Sequence, residues 1–83
     1  MKINYFAWLK DKVGCEEEEI TLPADVTNVG QLINWLSRRG PQYEDAFELI
    51  EVIKVVVNQA CAENDQAVKD DDEVIFIPPI AGG

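Results

Sequence analysis

Two glycines, Gly82 and Gly83, close the stretch IFIPPIAGG, behind the pair Pro78-Pro79. A terminal glycine offers an α-carboxylate with no side chain beside it. Glycine also lets a backbone pass where a Cβ would collide. A carboxylate is a poor electrophile, because its leaving group would be oxide or hydroxide. If this carboxylate is the reacting group, one protein must activate it and another must hold it. A narrow tunnel in that partner would admit Ala81-Gly82-Gly83 and reject bulkier ends.

Little else in the chain competes as a reactive group. There is no histidine, so the usual general base and metal ligand are absent, with every Ser-His or Cys-His nucleophile arrangement. Ser37 is the single serine. Cys15 and Cys61 are far apart, with no C-x-x-C spacing. Neither a zinc site nor a redox motif follows, and no metal ligands are assigned. Free thiols in a reducing compartment are expected. Four adjacent glutamates, Glu16 to Glu19, have poor geometry for calcium. They read as a solvated edge that discourages strand-to-strand aggregation.

The formal net charge is −9 over 83 residues. A surface of this sign repels a phosphate backbone and an anionic membrane face, so neither nucleic acid nor membrane is an expected partner. It keeps the protein soluble and would speed encounter with a basic partner. The opening MKINYFAWLK is too short and polar for a signal h-region, and no apolar run approaches the ~20 residues that span a bilayer. A cytoplasmic location is expected.

The elements that must carry the tail are legible in outline. Residues 2–9 are rich in β-formers and predict a strand. Phe6 and Trp8 break its apolar-polar alternation, so both faces are covered or these rings face outward. A turn is expected at Asp11 to Gly14, and a second strand at Cys15 to Leu22. A helix begins at Thr27 or Asn28, where Asn28 and Gln31 fit a capping box. Val29, Leu32, Ile33 and Leu36 lie on one face of it. Arg38 and Arg39 suit its C-terminal end, and Gly40-Pro41 supplies the stop. Residues 42–50 hold one short helical turn. Ile53 to Val57 reads as a strand covered on both faces, Ala60 to Ala62 as a short edge strand and Glu73 to Ile77 as the last strand. Turns fall at Asn64-Asp65 and Lys69 to Asp72.

This order is an α+β domain, with one main helix laid across a mixed sheet of about five strands. That is the β-grasp, or ubiquitin-like, architecture. The expected division is a domain at residues 1–77 and an extended tail at 78–83. Pro78 and Pro79 cannot continue a ladder, and two in a row make a stiff spacer.

Along its whole length the chain resembles the MoaD-like sulfur carriers, the small subunits of molybdopterin synthase. The resemblance rests on YFAWLKDKVG (Tyr5 to Gly14), VVVNQ (Val55 to Gln59), DDEVIFIPP (Asp71 to Pro79) and the closing AGG. It implies that an E1-like enzyme adenylates the Gly83 carboxylate with ATP, and that a sulfur donor protein converts it to a thiocarboxylate. No cofactor is bound by the carrier itself. The loaded tail would enter the large synthase subunit, in a heterotetramer, and deliver sulfur to cyclic pyranopterin monophosphate. Two deliveries build the dithiolene that later holds molybdenum or tungsten. Gly82 and Ala81 would enter the partner's tunnel, and Phe6, Cys61, Ile77 and Ile80 would dock against the partner. Such carriers often have Gly in the turn where this chain has Asp71, and Asp tolerates a left-handed turn better than most residues. Two alternatives share the tail chemistry: a carrier for thiamine-thiazole synthesis, and a ubiquitin-like modifier whose Gly83 becomes linked to lysines.

Overall fold

The computed structural model describes residues 1–79. Five strands form one sheet: β1 (Lys2–Tyr5), β2 (Glu17–Glu19), β3 (Lys54–Val57), β4 (Ala60–Ala62) and β5 (Glu73–Ile77). Their order across the sheet is β2-β1-β5-β3-β4. β1 and β5 run parallel, and the other neighbours are antiparallel. Three helices accompany them: α1 (Trp8–Val13), α2 (Val29–Ser37) and α3 (Pro41–Ala46), followed by a 3-10 turn at Ile50–Val52.

One face of the sheet is sealed. Ile3 and Tyr5 of β1, Val55 and Val57 of β3, and Val74 and Phe76 of β5 are buried. Alternation places each set on one side of its strand. Val29, Leu32, Ile33 and Leu36 of α2 are buried in the same cluster. At its centre Tyr5 stacks on Phe76, with centroids 6.0 Å apart, and Phe47 meets Phe76 edge-on at 5.0 Å. Such aromatic pairs add about 0.5–1.5 kcal/mol to what burial contributes.

The main helix starts where its cap demands. Asn28 Oδ1 accepts from the Gln31 N–H at 2.8 Å. The return bond of the expected box falls one residue earlier, because Gln31 Oε1 accepts from the Thr27 N–H at 2.6 Å. The helix ends at Ser37, and Pro41 is the first residue of α3 rather than only a stop.

The first strand is shorter than its composition suggests. It stops at Tyr5, and the expected continuation through residue 9 is instead the start of α1. The corner is Ala7, a non-glycine residue at φ 52°. Asp11 to Gly14 is therefore the end of a helix, closed by Gly14 in the left-handed region at φ 96° with its N–H on the Lys10 carbonyl. The second strand contracts to three residues from the expected eight. β3 is covered on one face only, because Lys54 is exposed and Val56 half-buried. Asp71 has no positive φ; the turn before β5 closes through Asp72, whose side chain accepts from the Lys69 N–H at 2.8 Å.

The glutamate run lies on the sheet edge, with one exception. Glu18 turns inward and accepts from Tyr5 Oη at 2.7 Å, Tyr43 Oη at 3.1 Å and Arg39 at 2.8 Å. Arg39 also lies over the Tyr43 ring, 4.8 Å from its centroid. One carboxylate thus ties β1, β2, the end of α2 and α3 together. Partial burial pushes its pKa up, but the bonds from Tyr5, Arg39 and Tyr43 outweigh this and hold it below the ordinary value. The sign follows: this stability is present above pH ~4.3 and is lost as pH falls through the lowered folded-state value. We expect Glu18→Gln to lower stability by about 1–3 kcal/mol at pH 7 and to flatten the acid limb of the stability profile. Urea midpoints at successive pH values test this; an unchanged acid limb refutes it.

Candidate functional site

Among the described residues, no helix lies over the opposite face of the sheet. The strand register sets the rows that cross it, and two of them carry its apolar side chains. Asn4 pairs with Ile75, Ile75 with Val56, and Val56 with Cys61. In the next row Ile77 pairs with Lys54. Phe6 extends this row on the β1 side, because its N–H bonds the Phe76 carbonyl at 3.1 Å and lengthens the β1–β5 ladder by one step. Phe6 is 48% exposed, Cys61 is exposed, and Val56, Ile75 and Ile77 are half-buried. The result is an apolar strip that runs from the end of β1 across β5 and β3 to the edge strand β4, open to water.

The structure therefore brings Phe6, Cys61 and Ile77 onto one surface. Sequence reasoning missed Ile75 and Val56, which complete it. Their signal was present in the two-residue period: in EVIFI and KVVV the neighbours of the buried positions must point the other way. Ile80, Ala81, Gly82 and Gly83 lie outside the described residues.

The tail leaves from the middle of this arrangement. β5 is the central strand, so its end is held by ladders on both sides. Pro78 is buried and Pro79 exposed. Across from them the chain turns sharply at Ala7, and Trp8 follows, half-buried against the core. Its indole Nε1–H donates to the Pro79 carbonyl at 3.3 Å. No sequence signal pairs these residues, which stand 71 positions apart.

Both thiols are free. Burial pushes the Cys15 thiol up, and Glu18 adds to this, so Cys15 is not an activated nucleophile. Among the described residues, no group of three or more His, Cys, Asp or Glu side chains is placed to hold a metal ion. No described helix is long and apolar enough to cross a membrane.

A five-stranded mixed sheet, a helix packed across one face and a tail leaving the central strand define a ubiquitin-like β-grasp domain. Over residues 3–83 the chain matches the ThiS family, and it belongs to that family. It is 36% identical to the molybdopterin synthase sulfur carrier subunit of Dictyostelium discoideum, over 99% of this chain and 94% of the relative. It is 31% identical to the protein of the same description from Mycobacterium tuberculosis, over 100% of this chain and 99% of the relative. Among solved structures, SAMP1 from Haloferax volcanii superposes with a TM-score of 0.79 at 26% identity, covering 100% of this chain and 98% of that one. The fold also matches, at a TM-score of 0.63 and 19% identity over 99% of this chain and 96% of that one, a chain from the complex of subunits 1 and 2 of the molybdopterin-converting factor of Helicobacter pylori.

The Ala7 corner gives a direct check on the geometry. A left-handed backbone at a residue with a Cβ costs roughly 1–3 kcal/mol, and β-branching raises the cost. Ala7→Gly should leave stability unchanged or raise it, and Ala7→Val should lower it by more than about 1 kcal/mol. Thermal denaturation of the two variants decides; an Ala7→Val protein as stable as wild type contradicts the corner.

Proposed function

We propose that this chain is the sulfur carrier subunit of a molybdopterin synthase. The observation that carries the reading is its full-length similarity to two proteins so described, from a slime mould and a bacterium. The Gly83 carboxylate is the working group. An E1-like enzyme joins it to AMP at the expense of ATP, and pyrophosphate leaves. Sulfur at the sulfide level, from a donor protein, then displaces AMP and leaves a thiocarboxylate. That group is anionic and nucleophilic at neutral pH, so the carrier requires no histidine. Its sulfur forms a C–S bond to cyclic pyranopterin monophosphate in the partner as an oxygen substituent leaves that carbon. Water then cleaves the acyl–sulfur bond, which leaves sulfur on the pterin and restores the Gly83 carboxylate, with the acid-base groups supplied by the partner. The carrier binds no cofactor of its own.

The open strip of Phe6, Ile75, Ile77, Val56 and Cys61 is the docking face for the large subunit. Exposed aromatic and aliphatic anchors are the common hot spots of such surfaces. The Helicobacter fold neighbour was solved as a two-subunit complex, and we propose the equivalent pairing here, as a heterotetramer in the cytoplasm. Gly82 and Ala81 enter the partner's tunnel, with Ile80 at its mouth. A modifier role would use the same acyl adenylate, and the names of the curated relatives favour the carrier.

Adding one residue after Gly83, or deleting it, should abolish sulfur delivery and leave the melting temperature within about 1 °C of wild type. Incubation with the activating enzyme, ATP and a sulfur source should exchange one oxygen for sulfur in the intact mass. Delivery by the extended protein would refute the assignment of the carboxylate.

Phe6→Arg should weaken large-subunit binding by more than about 1 kcal/mol with folding intact. Titration calorimetry measures it, and wild-type affinity would remove Phe6 from the interface.

A further inference from the structure

Two prolines in succession create a problem for holding the tail. Proline has no N–H, so Pro78 and Pro79 cannot donate to either neighbouring strand. The β5 ladders end at Ile77. Beyond the packing of buried Pro78, only carbonyls remain by which hydrogen bonds could fix the root of the tail, and what bonds them must be a donor. The tryptophan indole is a donor and nothing else.

Trp8 stands where such a donor is required. Tyr5 pairs with Phe76 in the parallel register. Trp8 is three residues beyond Tyr5, and Pro79 is three beyond Phe76, so the two arrive at the same end of the sheet in step. Ala7, at φ 52°, breaks the strand between them and turns the chain into α1. The indole then spans the gap, with Nε1 3.3 Å from the Pro79 carbonyl oxygen. One side of the ring packs on the core, which leaves it little freedom.

We propose that Trp8 is a positioning residue for the tail: its indole clamps the Pro79 carbonyl and presents the root of the tail to the activating enzyme already ordered. The role rests on the carrier reading above. A partner that takes in a tail must bear the cost of ordering it, and a root fixed beforehand reduces that cost. The benefit appears in binding and not in the chemistry at the carboxylate. Loss of one hydrogen bond of this kind corresponds to roughly a two- to tenfold change in affinity.

Two substitutions separate the clamp from packing. Trp8→Phe keeps an aromatic ring on the core and removes the donor. Trp8→Gln loses the ring and keeps an N–H at similar reach. With the full chain, the E1-like adenylating enzyme and ATP, pyrophosphate exchange gives KM and kcat for the carrier. We expect Trp8→Phe to raise KM roughly two- to tenfold with kcat unchanged, and Trp8→Gln to stay near wild type. A wild-type KM for Trp8→Phe, or a Trp8→Gln variant impaired as far as the Phe variant, overturns the proposal. A second measurement does not depend on activity. In the ¹⁵N-labelled protein, deletion of residues 79–83 should shift the Trp8 indole N–H signal and speed its exchange with water, with the Trp35 indole as the unmoved reference. An unmoved Trp8 signal shows that there is no clamp, whatever the protein does. A shifted signal together with no exchange by the wild-type chain leaves the contact standing and refutes both the carrier reading and the role in loading.

Discussion

The parallel pairing of β1 with β5 sets the position of everything else. It joins the first strand to the last across the middle of the sheet. Tyr5 and Phe76, opposite each other in that pairing, form the aromatic centre of the core. The same register puts Phe6 beside Ile77 and brings Trp8 level with Pro79. A slip of one residue would turn the buried rings outward and the open strip inward. Core and open strip are thus two sides of one register.

The two sides are built differently. The helix side is closed and its polar groups are satisfied; among the described residues, no buried side-chain nitrogen or oxygen lacks a partner. Tyr5 spans both regimes, with its ring in the core and its hydroxyl on Glu18 at the sheet edge. The apolar side chains of the open side are half-buried or exposed; Lys54 ends one of their rows, and Asn4 followed by Glu17 ends the other. Acidic charge is spread over the rest of the surface. A face of this kind stays in water as long as like charges keep copies apart, and it suits a partner that supplies the missing layer.

Much of this was legible in the residues. The 3.6-residue period of Val29, Leu32, Ile33 and Leu36 located α2, and the span of β5 was read without error. The β-rich run at residues 2–9 misled because Phe6 and Trp8 have the composition of a strand, whereas the break is a backbone angle at Ala7. The alternative signal was Leu9 and Val13, four apart and followed by Gly14, which is a helical spacing with a C-cap. Glu18 could not be told from its three neighbours, because its partners come from positions 5, 39 and 43. The open face of β3 was hidden for a related reason. A run of valines looks buried on both sides, and only the absence of a covering layer shows otherwise.

The central placement of β5 also has a mechanical side. A pull directed along β5 is transmitted into a strand hydrogen-bonded along both edges. The load is therefore shared by the bonds of two ladders in shear, where an edge strand would yield one bond at a time. Such a load leaves the domain whole, as a cable anchored in the middle of a slab holds better than one glued to its rim.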